Sequence, residues 1–141
     1  MIHYLDTSAL VKRYVNEAGS PSVRPLFRAG GVATSRIAYA EIAATMARLC
    51  REGALTEAGR DAVSARLDTD FAAITIVEIR AALVQRVPAL AARQPLRGYD
   101  AVHLASALTL RERGVAVTFW AADAVLVEAA RAEGMRTTLV R

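Results

Sequence analysis

Four acidic residues stand where a parallel α/β fold would collect ligand-binding groups. Asp6 and Asp123 each follow a short β-rich run, and Asp100 opens the helical segment that leads into the second of these runs. Glu41 lies inside a long helical segment, and none of its neighbours three or four positions away is basic. Ligands of open parallel sheets bind beyond the carboxyl ends of the strands. We therefore expect these four carboxylates to converge at one edge of a sheet.

A converging set of carboxylates needs a compensating positive charge. Two carboxylates about 5 Å apart repel each other by roughly 3 kcal/mol at an effective dielectric constant near 20. Oxygen ligands without a cluster of His or Cys favour Mg²⁺ or Mn²⁺ over zinc. Such an ion is suited to activating a water molecule against a phosphodiester and to neutralising the leaving oxygen. The pattern therefore predicts metal-assisted phosphodiester hydrolysis.

Each carboxylate also has a structural interpretation that stays open at this point. An aspartate at a helix start is commonly a cap worth about 1 kcal/mol, and this alternative applies to Asp6, Asp100 and Asp123. Glu41 has a different alternative, in which an arginine from another helix neutralises it, because a partly buried and unpaired charge is costly.

Three further polar residues are predicted to have no part in this chemistry. Asp68 and Asp70 have the spacing of a metal pair, but they precede a predicted strand and so belong to the opposite edge of the sheet. We expect both to lie in a solvated loop. His103 shares a helix face with Asp100, yet its apolar neighbours and the lack of a second ligand indicate a packing position.

β-rich runs and longer helical segments alternate along the chain, which is typical of a parallel sheet with crossover helices. The predicted strands are 2–5, 32–35, 73–77, 115–121 and 136–140. The predicted helices are 7–15, 20–28, 37–51, 56–67, 78–87, 99–113 and 123–133. No linker or repeat interrupts this pattern. The sequence therefore predicts one three-layer α/β/α domain over residues 1–141.

Composition limits the classes of protein that the chain can belong to. Hydrophobic residues make up 54% and charged residues 23%, which suits a packed core and excludes a disordered chain. The net charge is +4 and arginine supplies 17 of the 18 basic side chains, a balance compatible with a nucleic-acid ligand. No membrane span or secretory signal is recognisable, and the single cysteine, Cys50, excludes an internal disulfide. We expect a soluble cytoplasmic protein.

Four stretches of the sequence together resemble one known family. They are the segment LDTSALV at 5–11, YAEI at 39–42, LRGYDAVHLA at 96–105, and an aspartate, Asp123, that follows a predicted strand. In this combination and order the chain resembles the PIN-domain proteins, and most of all the VapC-type toxins of bacterial toxin–antitoxin pairs. The resemblance extends from the first predicted strand to the last.

The resemblance implies a metal-dependent endoribonuclease on a five-stranded parallel sheet of order 3-2-1-4-5. Asp6, Glu41, Asp100 and Asp123 match the acidic quartet of the family, and Asp6 and Asp100 match its usual Mg²⁺ (or Mn²⁺) ligands. Family members hydrolyse RNA, form homodimers and are inhibited by a small antitoxin protein. This chain departs from the family at Ala121, where a Ser or Thr is common, so the role of Asp123 is the least defined of the four.

Five further residues are candidates for supporting roles in such a site. Thr7 and Ser8 are expected to cap the first helix or to order a metal-bound water. Arg97, Lys12 and Arg13 are candidates for contacts to RNA phosphates, with ordinary surface salt bridges as the alternative.

Three other functions compete with the nuclease interpretation. A catalytically silent PIN-like module that binds RNA or protein is the main alternative, although a binding module would have no need to keep four mutually repelling acids. A phosphotransferase with Asp6 as nucleophile, resembling the haloacid dehalogenases, would need an aspartate where the chain has Ser8. A nucleotide-binding fold is disfavoured because no glycine-rich phosphate loop follows the first strand.

Overall fold

The first strand shows how this sequence builds a sheet that is covered on both sides. Successive side chains of a strand point to opposite faces, and Tyr4 and Leu5 are both fully buried, each in a different hydrophobic cluster. A strand with apolar side chains on both faces needs a layer of helices on each side. The computed structural model, which describes residues 1–141, places this strand at the centre of a parallel sheet.

Five strands and eight helices follow one another along the chain. The strands are β1 (Ile2–Leu5), β2 (Val32–Ser35), β3 (Thr75–Val77), β4 (Val117–Ala121) and β5 (Arg136–Leu139). The helices are α1 (Thr7–Leu10), α2 (Ser20–Ala29), α3 (Ile37–Arg51), α4 (Glu57–Ala73), α5 (Ala81–Val84), α6 (Val87–Arg93), α7 (Gly98–Glu112) and α8 (Ala124–Ala132). None of the helices combines the length and the apolar character that crossing a membrane requires.

The order of the strands is β3-β2-β1-β4-β5, and all four pairings are parallel. This confirms the predicted order. Tyr4 of β1 pairs with Ala33 of β2 on one side and with Phe119 of β4 on the other. The chain therefore reverses its direction of winding between β1 and β4, and the carboxyl ends of these two strands lie side by side. Such a switch point is where open α/β sheets bind their ligands.

The helices form one layer on each face of the sheet, as predicted. Buried residues of α1 to α4 pack with Leu5 on one face, and buried residues of α5 to α8 pack with Tyr4 on the other. The helix α7 is the most deeply buried of them, because eight of its fifteen residues are buried. Since α7 carries Asp100 and His103, the position of this helix determines where these two polar side chains lie at the carboxyl edge of the sheet.

The prediction that Asp68 and Asp70 lie in a loop is wrong. Helix α4 continues to Ala73 instead of ending near residue 67, and both aspartates are helical. Leu67, Asp70 and Phe71 lie on the same face of this helix and are all buried. A loop was predicted because residues 68–70 precede a strand, whereas the buried face shared with Leu67 and Phe71 continues the helix.

Two other predicted helices differ in detail from the observed ones. The predicted helix 78–87 is replaced by the single turn of α5 and the start of α6, because Pro88 occupies the first turn of a new helix instead of the end of an old one. The predicted helix 7–15 is α1 followed by a short 3₁₀ turn at Val11–Arg13. Neither difference moves the predicted acidic residues away from the carboxyl edge of the sheet.

Candidate active site

A cavity of about 550 Å³ opens at the carboxyl ends of β1 and β4. All four predicted acidic residues line it, together with both predicted hydroxyl groups. Its polar lining consists of Asp6, Thr7, Ser8, Glu41, Thr45, Arg97, Tyr99, Asp100, His103 and Asp123. The structure thus brings together residues from the β1–α1 junction, α1, α3, α7 and the start of α8, and the first and last of them are more than a hundred positions apart in sequence.

Asp6 lies at the point where β1 ends and α1 begins, and it is only 4% exposed. Its Oδ1 accepts hydrogen bonds from the backbone N–H of Ala9 (3.0 Å) and from the Ser8 hydroxyl (2.7 Å). The same Ser8 oxygen accepts from the N–H of Ala122 just beyond β4, at 2.9 Å. Burial raises the pKa of Asp6, although these hydrogen bonds act in the opposite direction. Asp6 is therefore both a helix cap and a buried carboxylate without a cation.

Glu41 enters the cavity from α3 and is held by two side chains. Its Oε1 accepts hydrogen bonds from the Thr7 hydroxyl at 2.6 Å and from Nε2 of His103 at 3.0 Å. Partial burial alone would raise the pKa of Glu41, but the hydrogen bonds from His103 and Thr7 outweigh burial and lower the pKa. The alternative in which an arginine neutralises Glu41 is therefore excluded, because its partner is a histidine.

Asp100 and Asp123 come from the starts of two helices. Asp100 lies in the first turn of α7 and is half-buried, and burial is the main reason that its pKa is raised. The negative charge of Asp123 acts on that pKa in the same direction. Asp123 is exposed and caps α8, since its Oδ1 accepts from the N–H of Val125 at 2.8 Å. The cap interpretation of Asp123 is therefore correct, and it leaves the second carboxylate oxygen free for other contacts.

The cavity holds more negative than positive charge. None of the four carboxylates forms an ion pair with a lysine or an arginine, although the chain contains 18 such residues. Arg97 is the one arginine of the lining, and its Nη1 donates to the hydroxyl of exposed Tyr99 at 3.0 Å. The structure thus leaves this guanidinium at the mouth of the cavity, where a phosphate group from solvent can reach it.

The donor set of the cavity fits a hard divalent cation. No three of its Asp, Glu and His side chains are grouped closely enough to surround an ion by themselves. Mg²⁺ does not require such a group, because it keeps several of its own waters and binds through one or two carboxylates plus substrate phosphate. Asp6 in particular is a buried acid whose bonding partners are all neutral, which is the situation that a cation relieves.

Lys12 and Arg13, predicted as contacts to RNA, are both held away from this cavity. The Nζ of Lys12 is buried and donates to Oε1 of Glu17 at 3.0 Å and to the carbonyl of Ala18 at 2.7 Å. Arg13 lines a separate cleft between α2 and α4, where its guanidinium binds both oxygens of Asp70 at 2.6 and 2.9 Å. Both cations thus have partners within the protein, as in the salt-bridge alternative, and a role for them in contacting RNA stays a prediction.

Comparison with known families shows which protein family this chain belongs to. The family model described as PIN domain matches residues 3–132 of the chain. The chain belongs to the PIN-domain family. The matched region begins inside β1 and ends with α8, so it includes every residue of the acidic cavity.

Two curated relatives and one solved structure show how far the similarity extends. The chain is 38% identical to Ribonuclease VapC45 and to Ribonuclease VapC49, both of Mycobacterium tuberculosis, over 94% of this chain and 92% of each relative. The structure of VapBC2 from Rickettsia felis, bound to a DNA fragment from their promoter, has a TM-score of 0.68 and 14% identity. The alignment covers 100% of this chain and 100% of that chain, so the two chains share the whole fold.

His103 is the residue of this PIN domain that the sequence did not reveal as part of the site. The prediction of a packing position is correct as far as burial is concerned, because the side chain is 1% exposed. Its ring, however, contacts Glu41 and Thr7 at the cavity wall. Two features of the sequence could have indicated this contact. Glu41 has no basic residue three or four positions away, and His103 lies on the same face of α7 as Asp100.

Proposed function

We propose that this protein is a metal-dependent endoribonuclease and the toxin of a toxin–antitoxin pair. The observation that carries the proposal is a cavity with four carboxylates and no paired lysine or arginine, in a chain 38% identical to proteins named as ribonucleases. Acids that repel one another without a neutralising partner destabilise a fold, so their presence at one cavity favours a function that uses them.

Asp6 and Asp100 are the side chains that would hold Mg²⁺ or Mn²⁺. When bound, such an ion lowers the pKa of a water and neutralises charge on the leaving oxygen. Glu41 has a lowered pKa and is therefore ionised at neutral pH, and its Oε2 accepts no hydrogen bond from the protein. That oxygen is available to accept a proton from an attacking water. Arg97 at the cavity mouth is placed to bind an RNA phosphate.

The proposal predicts that the purified protein, freed of any bound partner, cleaves RNA in the presence of Mg²⁺ or Mn²⁺. Cleavage should stop when EDTA removes the ion and should resume when the ion is restored. Gel analysis of end-labelled RNA measures the cleavage and shows which end carries the phosphate. An RNA that is bound but left intact in the presence of Mn²⁺ would instead identify the protein as a silent binding module.

Metal binding is predicted to raise the melting temperature, since a ligand that binds only the native state stabilises it. An ion at about a hundred times its dissociation constant adds roughly 2.7 kcal/mol. Differential scanning fluorimetry with increasing Mn²⁺ measures the shift in wild type, and the Asp6→Asn variant serves as the control. An equal shift in both proteins would mean that the ion binds elsewhere.

The remaining parts of the proposal concern partners and location. The VapC-type proteins that the chain resembles act on RNA and are inhibited by small antitoxins, and the chain shares its whole fold with the VapBC2 structure. We infer a homodimeric toxin with an antitoxin that covers the acidic cavity, acting in the cytoplasm where RNA is found. Size-exclusion chromatography of the protein, alone and co-expressed with the product of the adjacent gene, measures both associations.

A further inference from the structure

His103 has every polar atom of its side chain in a hydrogen bond, although the ring is almost completely buried. Nδ1 lies 2.8 Å from the hydroxyl of Tyr4, and Nε2 lies 3.0 Å from both Oε1 of Glu41 and Oγ1 of Thr7. Buried polar groups are normally paired, but a ring paired on both sides connects the groups on either side of it. Here it connects a core tyrosine to a carboxylate of the cavity.

The direction of these hydrogen bonds follows from the number of protons available. Thr7 has one hydroxyl proton and gives it to Oε1 of Glu41, so its oxygen can only accept from the ring. The ionised carboxylate of Glu41 also only accepts. Nε2 therefore carries a proton that it shares between these two oxygens. In the neutral ring this leaves Nδ1 without a proton, and Nδ1 accepts from the hydroxyl of Tyr4.

Tyr4 is a rigid anchor for this arrangement. It is fully buried in the central strand, and its ring stacks on Phe119 of the neighbouring strand with centroids 5.5 Å apart. Glu41, by contrast, has a flexible side chain that is 25% exposed. The ring of His103 thus links Oε1 of Glu41 to a fully buried residue of the central strand, and Oε2 has no hydrogen bond to the protein.

We propose that His103 is a positioning residue that holds the Glu41 carboxylate in the orientation needed for RNA cleavage. The inference rests on the proposed function, because it gives Glu41 a part in that reaction. His103 has no role of its own toward the substrate or the ion. Its contribution is to hold the side chain of Glu41 in one rotamer. Without His103, the entropy cost of ordering that side chain would add to the activation free energy of the reaction.

Two substitutions of His103 separate the contact to Glu41 from the contact to Tyr4. Gln places its amide nitrogen near the position of Nε2, whereas Asn reaches only the position of Nδ1. We expect H103N to lower kcat by about 10- to 100-fold with little change in KM, as is typical for residues that orient an active-site group. H103Q should retain activity within about fivefold of wild type. H3Q, at the only other histidine, is the matched control.

A double-mutant cycle with Glu41→Gln decides whether His103 acts through Glu41. If it does, H103N costs its full factor in the wild-type background and close to nothing in the E41Q background. A purely structural role predicts that H103N lowers kcat by the same factor in both backgrounds. It also predicts that H103N and H103Q lower activity to a similar extent, in proportion to the fraction of folded protein. Either an equal loss in both backgrounds or an equal loss for the two variants overturns the proposal.

A spectroscopic measurement on wild-type protein covers the case in which H103N does not fold. With two histidines in the chain, ¹⁵N NMR of the imidazole nitrogens can be assigned by comparison with H3Q. We expect a protonated Nε2 on His103 whose resonance shifts in E41Q. A ring protonated only at Nδ1 overturns the proposal. Absence of RNA cleavage by wild type, with Nε2 protonated as expected, would overturn the proposed function while leaving the hydrogen-bond assignment intact.

Discussion

Asp6→Asn should reduce RNA cleavage by about 10²–10³-fold and should leave the fold intact. Asn has the same shape as Asp, and its Oδ1 can still accept from the N–H of Ala9 and cap α1. What is lost is the negative charge that would hold the divalent ion. The measurement is kcat/KM on a short RNA at saturating Mn²⁺, with circular dichroism to establish folding.

The same substitution has a second expected effect in the absence of metal. The pKa of Asp6 is raised by burial, which means that ionising this side chain costs more free energy in the native state than in the unfolded chain. Removing that charge should hold the melting temperature level or raise it. Asp61→Asn is the control for a change of charge at the surface, because Asp61 is an exposed residue of α4 whose one ion pair is with the neighbouring Arg60. An unfolded Asp6→Asn protein would show that the carboxylate is structural and would contradict the metal assignment.

The positions of Asp6 and Asp123 could be predicted because they depend on short-range information. Each follows a strand that is recognisable from its own β-branched and aromatic residues, and parallel strands end at a common edge. That β1 and β4 are neighbours was implied only by the family resemblance. The structure adds that both aspartates also cap helices, so the structural and the chemical interpretation of these residues are compatible.

The partner of Glu41 could not be predicted because the contact is long-range. His103 is 62 residues away in sequence, and its neighbours Val102 and Leu104 have the character of a core helix. Periodicity indicates that such a helix is buried, but it does not indicate which polar atoms meet inside. The same limitation explains the incorrect loop at residues 68–70, since Asp70 is bound by Arg13, 57 positions earlier.

Arg13→Ala is predicted to cause a large loss of stability, although Arg13 lies outside the cavity. The side chains of Arg13 and Asp70 are 15% and 9% exposed, and the guanidinium also lies 3.9 Å from the centre of the Phe27 ring. Removing one member of a buried ion pair leaves the other charge unpaired, which costs about 3 kcal/mol. For a domain of this size we expect the melting temperature to fall by roughly 10 °C. Thermal unfolding at neutral pH measures the loss.

Arg28→Ala is the matched control, because Arg28 lines the same cleft, is exposed and forms no ion pair. Its effect should stay within about 0.5 kcal/mol. If both substitutions lower the melting temperature equally, the stabilisation comes from the general positive charge of the cleft and not from the contact between Arg13 and Asp70.

The stability difference between wild type and Arg13→Ala should also depend on pH in one direction. Burial alone would raise the pKa of Asp70, but hydrogen bonds from Arg13 and Tyr14 outweigh it and lower the pKa in the folded state. A lowered pKa contributes stability above the unfolded value, near pH 4, and that contribution is lost as the pH falls through the folded value. The gap between the two proteins should therefore be largest at neutral pH and shrink on acidification below about pH 4. A gap that stays constant under acid would mean that Arg13 stabilises the protein through its packing on Phe27, because that contact does not depend on the ionisation of Asp70.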